Sequence, residues 1–158
     1  MNKYFRRTFI RNDNKEIFLY GYKEHKEAPD KQLEIKNLSK PHMRWHPFRQ
    51  EWVTYSPGRE NRISFPSKDY CPLCPSVKIG NPTEVPFKNF EIAVFPNRWS
   101  SFSSHNENFI LENVKTEASN GICEVIVYSD KHEDTVAEMS LERIELLIHA
   151  WIDRYKEL

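Results

Sequence analysis

A pair of cysteines inside a proline-rich segment constrains this chain more than any other feature of its sequence. Cys71 and Cys74 are separated by Pro72 and Leu73, and the surrounding stretch 66–86 contains five prolines. Proline is excluded from helix interiors and central strands, so we expect a loop here. Two thiolates at this spacing can face one cation across a tight turn, which is half of a tetrahedral zinc site. The pattern therefore predicts a loop that a bound metal orders.

Three other interpretations of the pair stay open at this point. A disulfide across so short a loop would be strained, and residues 1–11 lack the apolar segment of a secretory signal. A thioredoxin-like redox pair usually opens a helix after a strand, whereas Pro75 follows this pair directly. The two thiols can also be inert. The third cysteine, Cys123, lies in the apolar run 122–128, where a buried strand residue is expected.

Composition excludes several classes of function. The 23 Lys+Arg residues balance the 23 Asp+Glu residues, so no net field attracts nucleic acid or an anionic membrane. No apolar run approaches the length needed to cross a bilayer. A chain of 158 residues fits one domain or one half of a larger two-lobed protein. Few cysteines without a signal peptide indicate a reducing cytoplasm.

Local patterns predict an α+β fold, with strands and one helix. Residues 1–43 are polar apart from an apolar alternation at 16–20, so we expect a single exposed strand or an arm there. Residues 100–120 are polar and rich in turn formers, which predicts a long excursion. The predicted strands are 52–55, 90–95 and 122–128. The last of them is apolar on both faces and is therefore expected to be central in the sheet.

A helix is predicted from Ser140 to the last residue. Ser140 is a suitable N-cap, and Glu142 suits the positive end of the helix dipole. No glycine, asparagine or proline closes the helix before Leu158, so we expect the chain to end inside it. Apolar residues recur at helical spacing at positions 141, 144, 147, 148, 151 and 155. Leu147, Ile148, Trp151 and Tyr155 would form a stripe too wide for an uncovered surface helix. If the chain is half of a two-lobed protein, we expect it to associate with itself, to aggregate or to need the other half for solubility.

The six histidines are the candidates for further metal ligands. His132 follows the predicted central strand directly, where a loop can bring an imidazole to the sheet edge. For His25, His42, His105 and His149 a solvated or packing role is expected. Nothing else in the sequence plainly completes a set of four ligands.

Seven sequence blocks follow one another along the chain: RWHPFRQEWV (44–53), SPGRENR (56–62), CPLC (71–74), AVFPNRW (93–99), GICEVIVYS (121–129), SLER (140–143) and AWIDRY (150–155). In this order they resemble the galactose-1-phosphate uridylyltransferases of the histidine-triad superfamily. The resemblance covers 44–158 and identifies this range as an N-terminal lobe that stops within or just after its helix, with 1–43 as an N-terminal arm. It implies a histidine-triad-like antiparallel half-barrel sheet with a packed amphipathic helix, in a two-lobed α+β homodimer.

The resemblance also implies an activity. Members of the family exchange uridylyl between UDP-glucose and galactose 1-phosphate through a uridylylated histidine, the second of a His-x-His motif. No His-x-His occurs in this sequence, and in the family that motif belongs to the C-terminal half. We therefore expect no catalytic residue in this chain and no activity from the chain alone. The iron-type site of some members also draws on that other half.

Site residues follow from the matched positions. Cys71, Cys74 and His132 match three of four ligands of a mainly structural zinc. Arg59 and Arg62 match a pair near the nucleotide phosphates, where two planar, always-charged donors suit a diphosphate. Asn97 matches a residue near the uridine. The remaining candidates match more loosely: Arg98 replaces a frequent aspartate and so removes an acceptor for the ribose, and Ile79 would line the uracil slot.

The motifs and the resemblance leave two classes of function open. The first is the N-terminal part of a uridylyltransferase acting on UDP-glucose and a hexose 1-phosphate. The second is a zinc-stapled nucleotide-binding module without catalysis. A related nucleotide-sugar adenylyltransferase lies between them. Neither involves nucleic acid or a membrane.

Overall fold

The computed structural model describes residues 3–34, 41–62, 66, 70–76, 81–104 and 110–158. In these residues the chain forms two compact units. So far as the segments are described, the first comprises Met1–Glu34, Phe65–Phe95 and Val125–Leu158, and the second Ile35–Ser64 and Pro96–Glu124. The described elements, in chain order, are β1 (Phe5–Ile10), β2 (Glu16–Gly21), β3 (His42–His46), β4 (Glu51–Tyr55), a 3₁₀ turn (Pro57–Asn61), β5 (Ile92–Pro96), β6 (Thr116–Ala118), β7 (Glu124–Val127), a 3₁₀ turn (Val136–Glu138) and α1 (Leu141–Glu157).

The first unit is built on a four-stranded sheet in the order β1-β2-β5-β7. β1 and β2 form an antiparallel hairpin, and β2 pairs antiparallel with β5. Asn14 takes a positive φ of 60° in the connection, a conformation that asparagine tolerates better than most residues. The expectation of a single exposed strand before residue 43 is therefore wrong, because this range forms two strands and β2 is buried. The alternation at 16–20 belongs to a strand that is buried on both faces, and charged flanking residues concealed this in the sequence.

Both faces of this sheet are covered by apolar side chains. Successive residues of a strand point to opposite faces, so β2 and β5 divide their side chains between two cores. One core contains Ile17, Leu19, Val85, Phe87, Phe90, Ala93 and Phe95, and the other contains Phe18, Tyr20, Ile92, Val94, Leu146, Leu147 and Ala150. Full burial of such side chains stabilises by roughly 1.5–3 kcal/mol each, before entropy is counted. The loop at 85–90 covers the first face and α1 covers the second.

The position of β7 differs from the sequence-based expectation. The run 122–128 was expected to be a central strand, but β7 covers only Glu124–Val127 and lies at one end of the strand order. All four of its residues are only partly buried. β2 and β5 occupy the centre instead. A run of β-branched residues marks a strand packed on two faces and does not fix its neighbours.

Helix α1 begins where the sequence predicts. The Ser140 hydroxyl oxygen accepts the backbone N–H of Arg143 at 3.3 Å, so the N-cap is confirmed. Leu146, Leu147, Ala150 and Arg154 face the sheet. Leu147 is 4% exposed and so does not belong to the predicted uncovered stripe, whereas Ile148, Trp151 and Tyr155 do, at 45%, 52% and 86%.

The second unit contains a three-stranded antiparallel sheet in the order β4-β3-β6. In its register Arg44 lies opposite Val53 on β4 and opposite Thr116 on β6. The predicted excursion at 100–120 therefore contributes a short strand to this sheet. Trp45 and Trp52 meet edge to face across β3 and β4, with ring centroids 5.5 Å apart. The α+β class and the antiparallel pairing are confirmed.

Candidate functional site

Three potential metal ligands meet in the first unit. One ligand atom each from Cys71, Cys74 and His132 lies within 4.8 Å of the others. The Cys74 sulfur and the His132 Nδ1 are 3.3 Å apart. Burial decreases across the group, because Cys71 is buried, Cys74 is partly buried and His132 is exposed. The structure thus brings together the three residues that the sequence singled out, although 58 residues separate Cys74 from His132.

The donor set fits zinc. Typical Zn–S and Zn–N bonds at tetrahedral angles place a sulfur and a nitrogen about 3.6 Å apart, close to the separation of Cys74 and His132. Two thiolates and an imidazole are ligands that zinc prefers over harder cations. All three cysteines are free thiols, so the pair is not consumed by a disulfide. The exposed His132 leaves the open side of the group accessible to a fourth donor.

Hydrogen bonds within the protein fix the cysteine loop. The Cys74 N–H donates to the Cys71 carbonyl at 3.3 Å, which closes the turn between the two thiols. The Thr83 hydroxyl donates to the Cys74 carbonyl at 2.6 Å, and the Thr83 N–H donates to the Ser76 hydroxyl oxygen at 3.1 Å. Both hydroxyl residues are buried. The expectation that a metal alone orders this loop is therefore too simple, because buried hydrogen bonds already hold the turn.

A buried ion pair ties the same loop to β1. The Arg11 guanidinium lies 3.1 Å from the Glu84 carboxylate, and the two side chains are 5% and 2% exposed. The Glu84 N–H also donates to the Pro72 carbonyl, between the two cysteines, at 2.9 Å. Arg11 makes a second ion pair with Asp13 at 2.7 Å. Burial raises the pKa of Asp13, but the hydrogen bond and charge of Arg11 outweigh it and lower this pKa below its ordinary value.

The loop that carries His132 is ordered by its own short hydrogen bonds. The Ser129 hydroxyl donates to Asp134, and the Lys131 N–H donates to the Ser129 oxygen at 3.1 Å. These bonds fold the chain just after β7 into a compact turn. His132 lies within this turn, and its Nδ1 contacts the Cys74 sulfur.

The predicted nucleotide-site arginines lie in the second unit. Arg59 is within the 3₁₀ turn Pro57–Asn61, and Arg62 caps it through an N–H bond to the Arg59 carbonyl. With three residues per 3₁₀ turn, positions three apart lie on the same side. Both side chains are exposed. One Arg59 nitrogen donates to the Ser101 hydroxyl oxygen at 3.0 Å, which leaves the other donors of the guanidinium available.

Asn97 and Arg98 lie on the segment that this turn contacts. The Ser56 hydroxyl donates to the Ser100 carbonyl at 2.9 Å, a second contact beside the bond from Arg59 to Ser101. The Asn97 Oδ1 accepts the Trp99 N–H at 2.9 Å. Its Nδ2 therefore remains the group that can donate to a ligand. The Arg98 guanidinium lies 5.1 Å from the Trp99 ring, so the position holds a cation where the resemblance favours a carboxylate.

The hydrogen bond from Arg59 to Ser101 connects the arginine turn to the segment that follows Asn97. Ile79 and His105 lie outside the described residues. Sequence reasoning missed Ser76, Thr83, Glu84 and Arg11, which position the cysteine loop. Thr83 and Glu84 follow Asn81-Pro82 in a polar stretch, and no periodicity distinguishes them from solvated loop residues. In the described part of the chain, no helix is long and apolar enough to span a bilayer.

Comparisons with known proteins agree with the order of these motifs. A family model described as "Galactose-1-phosphate uridyl transferase, N-terminal domain" matches residues 30–158. A galactose-1-phosphate uridylyltransferase of Thermotoga maritima is 32% identical over 119 residues, covering 73% of this chain and 36% of the relative. One of Streptomyces lividans is 26% identical over 148 residues, covering 92% of this chain and 37% of the relative.

A solved structure titled as a uridylyltransferase shares the fold. It superposes with a TM-score of 0.53 at 20% identity, covering 73% of this chain and 34% of that chain. This chain spans little more than a third of the length of the curated relatives that it matches.

Proposed function

Since this chain belongs to the galactose-1-phosphate uridyl transferase family, we propose that it forms the N-terminal part of an enzyme that exchanges uridylyl between UDP-glucose and a hexose 1-phosphate. The observation that carries the proposal is the family match over residues 30–158. The whole enzyme would be a nucleotidyltransferase of galactose metabolism. In it this part would hold the nucleotide, while the nucleophilic histidine would come from the part of the relatives that this chain does not span.

The proposed nucleotide contacts follow from the second unit. Arg59 and Arg62 would neutralise the diphosphate, because guanidinium groups form charge-assisted hydrogen bonds to phosphate oxygens. Asn97 would donate its Nδ2–H to the uridine, since its oxygen is already committed to Trp99. Arg98 supplies no acceptor for the ribose, and we propose that it faces the phosphates or the solvent. Ile79 would line the uracil slot.

We further propose that Cys71, Cys74 and His132 hold a structural zinc whose fourth ligand comes from elsewhere. When bound, the metal would crosslink the cysteine loop to the turn after β7.

Free thiols that act as ligands need a reducing environment, which supports a cytoplasmic location. We also propose a histidine-triad-like half-barrel as the architecture, which the order of the sequence blocks supports. The exposed apolar face of α1 supports a homodimer.

The test of the nucleotide proposal is ligand binding by the purified chain. We expect UDP-glucose to bind more tightly than ADP-glucose in isothermal titration calorimetry. Arg59→Gln and Arg62→Gln should each weaken binding about tenfold, the typical loss for one charge-assisted contact. Lys88→Gln, which changes an exposed cation of the first unit, is the matched control.

Two outcomes would contradict this function. Preference for ADP-glucose would favour the adenylyltransferase alternative. If both arginine variants bound UDP-glucose as tightly as the wild type does, the turn that carries Arg59 would not be part of the nucleotide site. A separate incubation with labelled UDP-glucose tests the nucleophile, and we expect no acid-labile uridylylated chain. A labelled chain would show that a lone histidine, such as His46, acts as nucleophile and would return catalysis to these 158 residues.

A further inference from the structure

One face of the three-stranded sheet carries a small groove with two nitrogen donors. His42, Arg44 and His46 alternate along β3 and therefore share one face, with Tyr55 and Val53 opposite the first two on β4. The groove has a volume of about 260 Å³ and lies between Arg44, His46, Val53 and Tyr55. Trp45, Pro47 and Val114 complete its lining. All of these residues belong to the second unit.

The Arg44 guanidinium is held in place by two aromatic side chains. Its Nε donates to the His42 Nε2 at 2.9 Å, and its central carbon lies 4.0 Å from the centroid of the Tyr55 ring. His42 is 1% exposed and stacks on Tyr55 at 5.8 Å, so the support is itself packed. Among the described residues, no carboxylate forms an ion pair with Arg44. Both terminal nitrogens of a fixed cation thus remain available for an anion.

His46 supplies a second donor on the same face. Its Nδ1 accepts the Arg49 N–H at 3.3 Å, so in the neutral ring the proton resides on Nε2. Arg44 and His46 are two residues apart on one strand, so they share a face, and both line the groove. Such a pair can contact different oxygens of one tetrahedral anion.

We propose that this groove binds a phosphate monoester with a small organic group. Arg44 would bind two phosphate oxygens, His46 would donate to a third, and Pro47, Val53 and Val114 would contact the organic group. The volume lies just below the 300–1,000 Å³ of drug-sized pockets, which restricts the ligand to about the size of a sugar phosphate. A planar carboxylate would engage Arg44 but leave His46 without a partner. The site uses none of the residues assigned to UDP-glucose.

The experiment is an NMR titration of the whole 158-residue chain with four probes: inorganic phosphate, glucose 1-phosphate, gluconate and glucose. The Arg44 Nε–H and Val53 methyl resonances report on the groove, and the Trp151 indole serves as an internal control. We expect glucose 1-phosphate to bind most tightly, inorganic phosphate about tenfold more weakly, and glucose not at all. Arg44→Gln should weaken phosphate binding at least about tenfold, and Arg44→Lys and His46→Gln by smaller factors.

Controls separate this proposal from the nucleotide site and from misfolding. Lys88→Gln should bind as the wild type does, and Arg59→Gln should keep groove binding while losing UDP-glucose. If Arg44→Gln does not fold, the Arg44→Lys and His46→Gln titrations decide the question. Three results would overturn the proposal. The first is the absence of chemical-shift changes at Arg44 up to about 20 mM phosphate, a concentration that would saturate even a weak site. The second is an affinity unchanged in every variant, which would mean an adventitious ion only, and the third is gluconate binding as tightly as glucose 1-phosphate.

Discussion

At the scale of single residues, the best-supported feature is the approach of Cys74 and His132 from distant parts of the chain. The Cys74 sulfur lies 3.3 Å from the His132 Nδ1. A hydrogen bond from Thr83 and the buried ion pair of Glu84 shape the loop that carries the two cysteines. A preorganised site loses less conformational entropy on binding than a disordered one.

This arrangement predicts about one zinc per chain in protein purified without chelator. Cys71→Ser should lose most of the metal, because a hydroxyl is a far poorer zinc ligand than a thiolate. Cys123→Ser is the matched control, since this partly buried thiol lies outside the ligand group. Elemental analysis with a chelator competition measures both. Metal-free protein should keep its overall fold, since Thr83 holds the loop. Equal, near-zero zinc in wild type and Cys71→Ser would refute the site.

The Asp13 carboxylate should make stability depend on pH. Its pKa is lowered in the folded protein because Arg11 outweighs the effect of burial. A lowered carboxyl pKa contributes stability above the unfolded value of about 3.9, and the contribution is lost as the pH falls further. Asp13→Asn should therefore cost about 1 kcal/mol at pH 7 and almost nothing near pH 2. Urea unfolding at both values tests this, with the exposed Glu16→Gln as control. An equal loss of unfolding free energy at pH 7 and pH 2 would contradict a lowered pKa of Asp13 in the folded protein.

At the scale of elements, the N-cap of α1 predicts a measurable stability change. Ser140→Ala removes the acceptor for the Arg143 N–H and should cost about 1 kcal/mol of unfolding free energy. Ser140→Asp should retain the stability, because a carboxylate also caps an N-terminus and suits the helix dipole. Chemical denaturation of the three proteins gives the comparison. A loss as large in the aspartate variant would mean that the hydroxyl serves packing and not capping.

Elements that depend on local sequence could be predicted, and elements that depend on distant residues could not. Capping and helical periodicity are local, so α1 was predicted nearly to its ends. β2 was mistaken for an exposed strand because its burial depends on β1, β5 and the helix, which are distant in sequence. The position of β7 at one end of the strand order could not be predicted for the same reason, since it depends on which strands pair with it. Cys71, Cys74 and His132 were found because their chemistry is distinctive and their order resembles a family. Thr83 carries no such signal, since its role depends on where the Cys74 carbonyl lies.

At the scale of the whole molecule, the relatives are almost three times as long as the range that this chain matches. Within 158 residues the chain offers a metal group in one unit and two arginines with an asparagine in the other. It contains no His-x-His, which the proposed reaction requires. Under the proposed function, this part would bind the nucleotide and a metal, and the nucleophile would come from the range of the relatives that this chain does not match. The proposed activity would then require surfaces through which this part meets other chains or domains.

One such surface is the exposed face of α1, and it predicts self-association. Ile148, Trp151 and Tyr155 are 45%, 52% and 86% exposed, and they lie on the side opposite the sheet. Exposed aromatic and aliphatic side chains in one stripe favour burial against an apolar partner. Size-exclusion chromatography with light scattering over a tenfold concentration range should show a mass that rises above 18.9 kDa with concentration. Trp151→Lys should shift the protein to monomer, and Lys88→Glu should not. A wild-type monomer at every concentration would mean that this face needs no second copy to cover it.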